Sequence, residues 1–559
     1  MIGLLSRRRA SARAALRRTR HIARVLGANG LESIAEATGL RRFLPRFGKD
    51  GKNGEVRSQA ERLRVAFGEL GVTFIKLGQM LSTRADLLPP EVIAELSKLQ
   101  DSAPPVPFEE IRRILMEDLP GPKLGSFAWI EQRPLASASI GQVHEALLGD
   151  GTPVVIKVRR PGVVEQVDQD LQILRQAVDW VQVHTPIGHD YELRPLMAEF
   201  AATLRDELDY VREGQNATKM RIAFGNDRRV WIPRVYDELT TTRVLTMERV
   251  GGVKFTDAGR LDQLGISRRA LAETAVRLFL RQVFELGFFH ADPHPGNFFV
   301  QPSGTLAVVD FGMVGRLSEP TQRHLMAAML AGVREDAEAL AEELYALGVA
   351  GARADRVSFE RDLARLVNRY GSSSIRDLSA ATVTDELFSI AFRHKLQLPS
   401  ELAQLLRVIN MAEGLGLSLD PDFRYLEFAT PVIKKLARRR YAPAALARRA
   451  GLAAVEAAEL GADFPRRAAR LLGRFERGEI AIKVDHRGLE SATREFQKMT
   501  NRLVLAMLLA ASIVALGLAA GIRMVPALEP VVDWLFRFAL LFSLAFGVSV
   551  LWGMWRSGR

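Results

Sequence analysis

His290-Ala291-Asp292-Pro293-His294-Pro295-Gly296-Asn297, with Asp310-Phe311-Gly312 beginning thirteen residues after Asn297, is the stretch that decides how this chain is read. The H-x-D-x-x-x-x-N spacing puts a carboxylate and an amide on one short loop, and a second carboxylate ends the apolar run Leu306–Val309. Oxygen donors of this kind suit a hard cation such as Mg2+. In phosphoryl transfer they divide the work: Asp292 orients or deprotonates the acceptor, while Asn297 and Asp310 hold the metal that bridges nucleotide phosphates. Either triplet alone would be an ordinary turn; their order and spacing together carry the signal. His294, beside the prolines, reads as a turn residue.

Toward the N-terminus, Ala136-Ser137-Ala138-Ser139-Ile140-Gly141-Gln142-Val143 fits G-x-G-x-x-G-x-V with alanine at two of the three glycine positions. Such a loop works because backbone N–H groups close over phosphates without Cβ obstruction, so Ala136 and Ala138 should stiffen it. Fourteen residues after Val143, Lys157 ends Val154-Val155-Ile156-Lys157, the form of the strand lysine that meets α/β phosphates. Lysine is scarce here, 13 of 77 basic residues, which gives its place on this strand weight. Leu245 to Gly252 has the look of a hinge between lobes, with Glu248 and Val250 at the adenine.

The surrounding pattern is helical over 56–118, broken at Pro89–Pro90 and at Pro104, Pro105 and Pro107. Short strands follow at Leu135–Val143, Glu145–Leu148 and Pro153–Arg159 about the turn Gly149-Asp150-Gly151. Helices are expected at 163–184 and 192–224, then a strand pair, Val230–Tyr236 with Arg243–Glu248. After 268 the chain reads helical except at 288–312, and Arg-rich amphipathic helices come after 430. A mostly β lobe before a mostly α lobe is an α+β layout with a cleft between them. No long activation segment and no A-P-E follow Asp310: Met313–Leu317 leads straight to Ser318-Glu319-Pro320, which disfavours a peptide acceptor.

The length, 559 residues, calls for several domains, and 48% hydrophobic with 25% charged excludes global disorder. With no cysteine, disulfides, thiolate metal sites and a cysteine nucleophile are excluded. Eight arginines and no acid in residues 1–31 supply two thirds of the net +12. They suit anionic lipid headgroups; aromatic residues do not interleave with them, so nucleic acid is not the expected partner. Leu503–Ile522, twenty residues without a charge, is long enough at 1.5 Å per residue for a roughly 30 Å hydrocarbon layer, and Phe538–Trp555 is a second such stretch. Lys498, Arg502, Arg556 and Arg559 on the outer flanks predict a hairpin with both ends and the body cytoplasmic. Gly517 and Gly521 make a G-x-x-x-G in the first span, compatible with a homodimer.

At these motifs the chain closely resembles the UbiB/ABC1/ADCK family of atypical kinase-like proteins, from about residue 60 to the terminal hairpin. The family's K-x-G-Q stands as Lys76-Leu77-Gly78-Gln79 and its E-x-D as Glu207-Leu208-Asp209. The alanine-bearing loop is also a family mark. The resemblance implies a bilobal protein-kinase-like fold with an N-terminal helical extension and a C-terminal pair of transmembrane helices. The expected units are a basic arm (1–55), the K-x-G-Q extension (56–118), an N-lobe with a helical insertion (119–248), a C-lobe (249–425), an amphipathic linker (426–500) and the hairpin (501–559). It implies ATP and Mg2+ as cofactors, Lys157 paired with Glu213, and Lys76, Gln79, Glu207 and Asp209 in the space a peptide would need. Lys76, Gln79 and Thr83 should share one helix face, and Asp209 and Glu213 another. It further implies slow ATP turnover supporting ubiquinone or related quinone biosynthesis at a bacterial-type inner membrane, with polyprenyl phenol intermediates or biosynthetic enzymes as partners. The competing expectation is a non-catalytic, nucleotide-gated scaffold or lipid-extraction protein.

Overall fold

The computed structural model describes residues 2–39, 58–99, 103–349, 355–371 and 379–440, with a few isolated helical positions between 507 and 541. The expected hairpin (501–559) and the linker beyond 440 lie essentially outside the described residues. Among the described residues no helix is long and apolar enough to cross a membrane.

Among the described residues six helices precede the first sheet: α1 (Ile2–Ala28), α2 (Glu32–Ala37), α3 (Gln59–Leu70), α4 (Val72–Leu81), α5 (Pro90–Leu96) and α6 (Phe108–Asp118). Ser58 starts α3 as a cap, its hydroxyl accepting from the Glu61 N–H at 3.1 Å, an S-x-x-E arrangement. Ile22, Leu26, Phe67, Leu70 and Phe74 gather into one apolar cluster that joins α1 to α3 and α4. Helix α1 is therefore docked through its C-terminal half. Arg18 is held there by the fully buried Asp170, Nε to Oδ1 2.7 Å, and Thr73 donates to the other carboxylate oxygen at 2.8 Å.

The N-lobe sheet contains β1 (Phe127–Ile130), β2 (Ala136–Ser137), β3 (Gly141–Leu148) and β4 (Pro153–Arg159). Alternating burial along β3 and β4 puts Val154, Ile156 and Val158 into a small core beneath α6. Helices α7 (Val163–His184), α8 (Pro186–Asp190), α9 (Leu193–Glu207) and α10 (Tyr210–Phe224) form the insertion. The expected helix 192–224 is two helices, because Asp209 leaves the helical conformation and caps the second, Oδ1 accepting from the Val211 N–H at 3.1 Å.

The expected strand pair of Val230–Tyr236 with Arg243–Glu248 is not formed as such. Strand β5 is only Val230–Trp231 and lies parallel to a C-lobe strand; Val235 meets Met247 through a single bridge. Pro233, which has no N–H to give, interrupts the run. Strand β6 (Val244–Glu248) instead completes the N-lobe sheet, in the order β1-β3-β4-β6 with every pairing antiparallel.

The C-lobe begins with β7 (Val253–Lys254), α11 (Ala258–Gln263) and α12 (Arg268–Arg281). Short strands β8 (Phe288–His290), β9 (Phe298–Val300), β10 (Leu306–Val308) and β11 (Val314–Arg316) frame the quoted motifs. Ser318 then caps α13 (Glu319–Val333), so no long segment intervenes after Asp310. Helices α14 (Ala337–Ala346), α15 (Arg356–Gly371), α16 (Ala380–Arg393), α17 (Ser400–Leu419) and α18 (Tyr425–Arg440) finish the lobe. Tyr425, Ala429, Ile433 and Leu436 bury α18 in the main core, so the residues expected to open the linker belong to the C-lobe.

Candidate active site

Strand β4 holds Lys157 between β3 and β6, opposite Val143 and Leu245. Its Nζ donates to both Glu213 oxygens, at 2.8 and 2.9 Å, although the insertion sets the two 56 positions apart in sequence. Asp310 Oδ2 lies 3.6 Å from the same nitrogen. These charges set one another. Burial works against the Lys157 ammonium, but Asp310 and Glu213 outweigh it and raise its pKa well above the ordinary value. Burial pushes Glu213 up to about 7 against the pull of Lys157. Burial would raise Asp310 too, yet Lys157 and the Gly312 N–H hold it near 2.

Asp310 has φ of 62°, a left-handed backbone that aspartate tolerates better than most residues. Its Oδ1 accepts from the Gly312 N–H at 3.1 Å, which fixes the bend. Asn216, one turn beyond Glu213, donates Nδ2 to the Phe311 carbonyl at 3.1 Å, and Phe311 is buried against the His290 ring. One helix therefore positions both the partner of Lys157 and the D-F-G turn. Asn297 donates Nδ2 to the Asp292 carbonyl at 3.2 Å, and its own carbonyl accepts from the Val309 N–H at 2.9 Å, tying the two motifs together. The Asp292 side chain is 40% exposed, and Arg407 of α17 approaches its Oδ1 at 3.6 Å.

The alanine-bearing segment is a tight hairpin, with the Ala138 N–H donating to the Gly141 carbonyl at 2.8 Å. Arg160 clamps it through Nε to the Ala138 carbonyl at 2.8 Å and Nη2 to the Ser137 hydroxyl at 2.7 Å. Gly141 is required: a Cβ there would strike the Tyr210 hydroxyl and sit 2.8 Å from the Val158 carbonyl oxygen. Ser139 is buried in the same turn. At the hinge, Glu248 turns its carboxylate to the Arg234 N–H at 3.2 Å.

Helix α4 carries the K-x-G-Q residues to the same place. Lys76 Nζ is 2.7 Å from Glu207 Oε2, and its charge adds to the field that lowers Asp310. Gln79 donates Nε2 to the Leu99 carbonyl and accepts at its own carbonyl from Arg407, both at 3.3 Å. Gly78 is the close-packed position, since a Cβ would collide with Leu99 and Phe67. Asp209 does not join Glu213 on a helix face; it is the cap, with Arg212 Nε 3.8 Å from its Oδ2.

Among the described residues no group of three or more His, Asp or Glu side chains could hold a metal alone. The donors present still fit Mg2+. Asp310 keeps a carboxylate 47% accessible from the cleft, and Asn297 spends its N–H on Asp292, which leaves its amide oxygen for a cation. Two protein oxygens plus phosphate and water are the usual Mg2+ complement. Asn216, Arg160 and Arg407 escaped the sequence reading; only the Asn216 spacing of three from Glu213 offered a signal.

The chain matches the ABC1 atypical kinase-like domain over residues 98–344 and the UbiB helical domain over 363–424. A Probable protein kinase UbiB of Xanthomonas oryzae pv. oryzae is 34% identical over 508 residues, 88% of this chain and 91% of that protein. An uncharacterized protein of Synechocystis sp. is 35% identical over 432 residues, 77% of this chain and 74% of its own length. Among solved structures, an erythromycin complex of Rv3197 from Mycobacterium tuberculosis is 24% identical, with a TM-score of 0.45, covering 66% of this chain and 94% of that one.

Proposed function

The chain belongs to the UbiB family of ABC1 atypical kinase-like proteins, and from that premise we propose that it binds Mg-ATP in the interlobe cleft and acts as an ATPase or small-molecule phosphotransferase supporting ubiquinone biosynthesis at a membrane. The observation that carries this is the convergence of Lys157, Glu213 and Asp310, with Lys76 and Glu207 closing the same cleft. In this arrangement Lys157 binds nucleotide phosphates and Glu213 orients it. Asp310 and Asn297 hold Mg2+, which when bound neutralises charge on the phosphates. Asp292, kept in place by the Asn297 amide and Arg407, accepts the proton of the attacking hydroxyl or water. Helix α4 brings Lys76 near enough for its charge to act on Asp310, and α13 follows Asp310 almost directly, which disfavours a peptide acceptor. The apolar stretches Leu503–Ile522 and Phe538–Trp555 would anchor the body to a membrane.

A second reading, a nucleotide-gated scaffold without chemistry, draws on the Arg160 clamp, which limits how far the loop can follow phosphates. One experiment separates the two. If the protein is an enzyme, Asp292→Asn keeps Mg-ATP binding but loses turnover and fails to restore quinone in a deletion strain. If Asp292→Asn restores quinone fully while Lys157→Ala does not, the scaffold reading stands and catalysis falls.

A further inference from the structure

The C-lobe helices α13 to α18 line an open-mouthed cavity of about 320 Å³. Folded interiors leave few voids larger than a water molecule, and an engineered cavity of ~150 Å³ lined by aliphatic side chains stays dry and binds benzene. This one is about twice that size, room for a hydrocarbon of roughly ten to fifteen carbons by proportion. Leu330, Leu344, Phe359, Leu387 and Ile409 are typical of its wall. Two of the polar groups on it are already engaged: Tyr370 donates to Glu386 at 2.8 Å, and Thr430 to the Leu426 carbonyl at 2.7 Å. Water would find few partners there. The charged lining residues, Glu335 and Lys434, are exposed, so they mark the rim.

We propose that this cavity binds one hydrocarbon chain, isoprenoid or acyl, with its polar head at the Glu335–Lys434 rim. In naming an isoprenoid it rests on the functional reading above; the cavity itself does not. The chain's own neighbouring segments are poor fillers. Residues 350–354 and 372–378 carry only Ile375 and Leu378 as large apolar side chains, and 441–450 is alanine- and arginine-rich. The site also has a route to the cleft. On α17, Leu405 and Ile409 line the cavity while Arg407 meets Asp292 and Gln79. A bound chain thus steadies the helix that positions Arg407.

The test is photolabelling of the full-length protein with diazirine-tagged farnesol and, separately, diazirine-tagged palmitate, with peptide mapping and Mg-ATP binding measured on the same samples. Saturable labelling of 319–333 and 380–419 is the result expected, reduced at least tenfold by Val383→Trp and by Leu387→Trp. Melting curves show whether each variant is folded. Preference for farnesol assigns an isoprenoid, and preference for palmitate an acyl chain. Labelling confined to 501–559, or unchanged in both folded variants, overturns the proposal. So does cross-linking of 441–500 into the cavity, since the occupant would then be the chain itself. Loss of cavity labelling with intact Mg-ATP binding sinks only the cavity; intact labelling without Mg-ATP binding sinks only the nucleotide reading.

Discussion

Lys76 Nζ and Glu207 Oε2 are 2.7 Å apart, with the two side chains only 13% and 8% exposed, so the K-x-G-Q helix is joined to the insertion by a largely desolvated ion pair. Removing one partner of a buried pair costs about 3–5 kcal/mol, because the other charge loses its match in place. Lys76→Met should therefore lower stability by that amount, and Lys76→Met with Glu207→Gln should recover a large part of it. Denaturant unfolding of the two single variants and the double variant checks the coupling; additive losses would show that the pair is not a unit.

Arg84 and Asp86 form a second pair, almost wholly buried, with Arg84 Nη2 to Asp86 Oδ2 at 2.6 Å. Arg84 also donates to the Leu398 carbonyl, and Asp86 accepts from the Leu398 N–H, so the turn after α4 is bound to the start of α17. Arg84→Ala should destabilise by about 3–5 kcal/mol. Nucleotide affinity per folded molecule should stay within about twofold, because Arg84 touches no residue of the Lys157 cluster; a thermal melt and a binding isotherm read the two effects separately.

Gly141 faces the Tyr210 hydroxyl so closely that Gly141→Ala must displace one of them. Overpacking of this kind costs about 1–3 kcal/mol. Tyr210→Phe removes the colliding oxygen and should restore part of the loss, the rest staying with the Val158 carbonyl oxygen at 2.8 Å. Melting temperatures of the four proteins in the cycle decide it; a double variant no more stable than Gly141→Ala would exclude the hydroxyl as the obstacle.

Asp118 ends α6 and reaches Thr241 and Arg243 beside β6. Burial raises its pKa, but the Arg243 guanidinium and the Thr241 hydroxyl outweigh that and hold the carboxyl below its ordinary value. A lowered folded value means its stabilising effect is complete above the ordinary carboxylate range and is lost as pH falls through the lowered value. Asp118→Asn should therefore lower stability at pH 7 and flatten the acid limb below the ordinary aspartate value of 3.8. Unfolding measured across that range tests the sign.

The motifs on single strands and loops were legible because their spacing is local: Asp292 to Asn297, Asp310 to Gly312, and the hairpin at Gly149–Gly151 all stand where the pattern put them. The Lys157–Glu213 contact was reached through family resemblance, since nothing local reports a pairing across 56 residues. A capping aspartate and a helix-face aspartate look alike in sequence, and only the extended backbone of Asp209 itself sets them apart. Val230–Tyr236 misled for a similar reason. Its β-branched residues read as a strand, but Pro233 stops it and the first two residues pair with the other lobe. Arg160 and Arg407 gave no signal at all, because arginines are abundant along this chain and their value lies in what three-dimensional packing sets before them.

The most direct measurement is calorimetric titration of the full-length protein with ATP, with and without Mg2+, for wild type, Lys157→Ala and Asp310→Asn. If Lys157, Glu213 and Asp310 form a nucleotide site, wild type binds ATP in a Mg2+-dependent way, Lys157→Ala weakens it at least tenfold, and Asp310→Asn abolishes the Mg2+ dependence. Equal affinity in all three proteins, or binding indifferent to Mg2+ in wild type, would contradict the assignment.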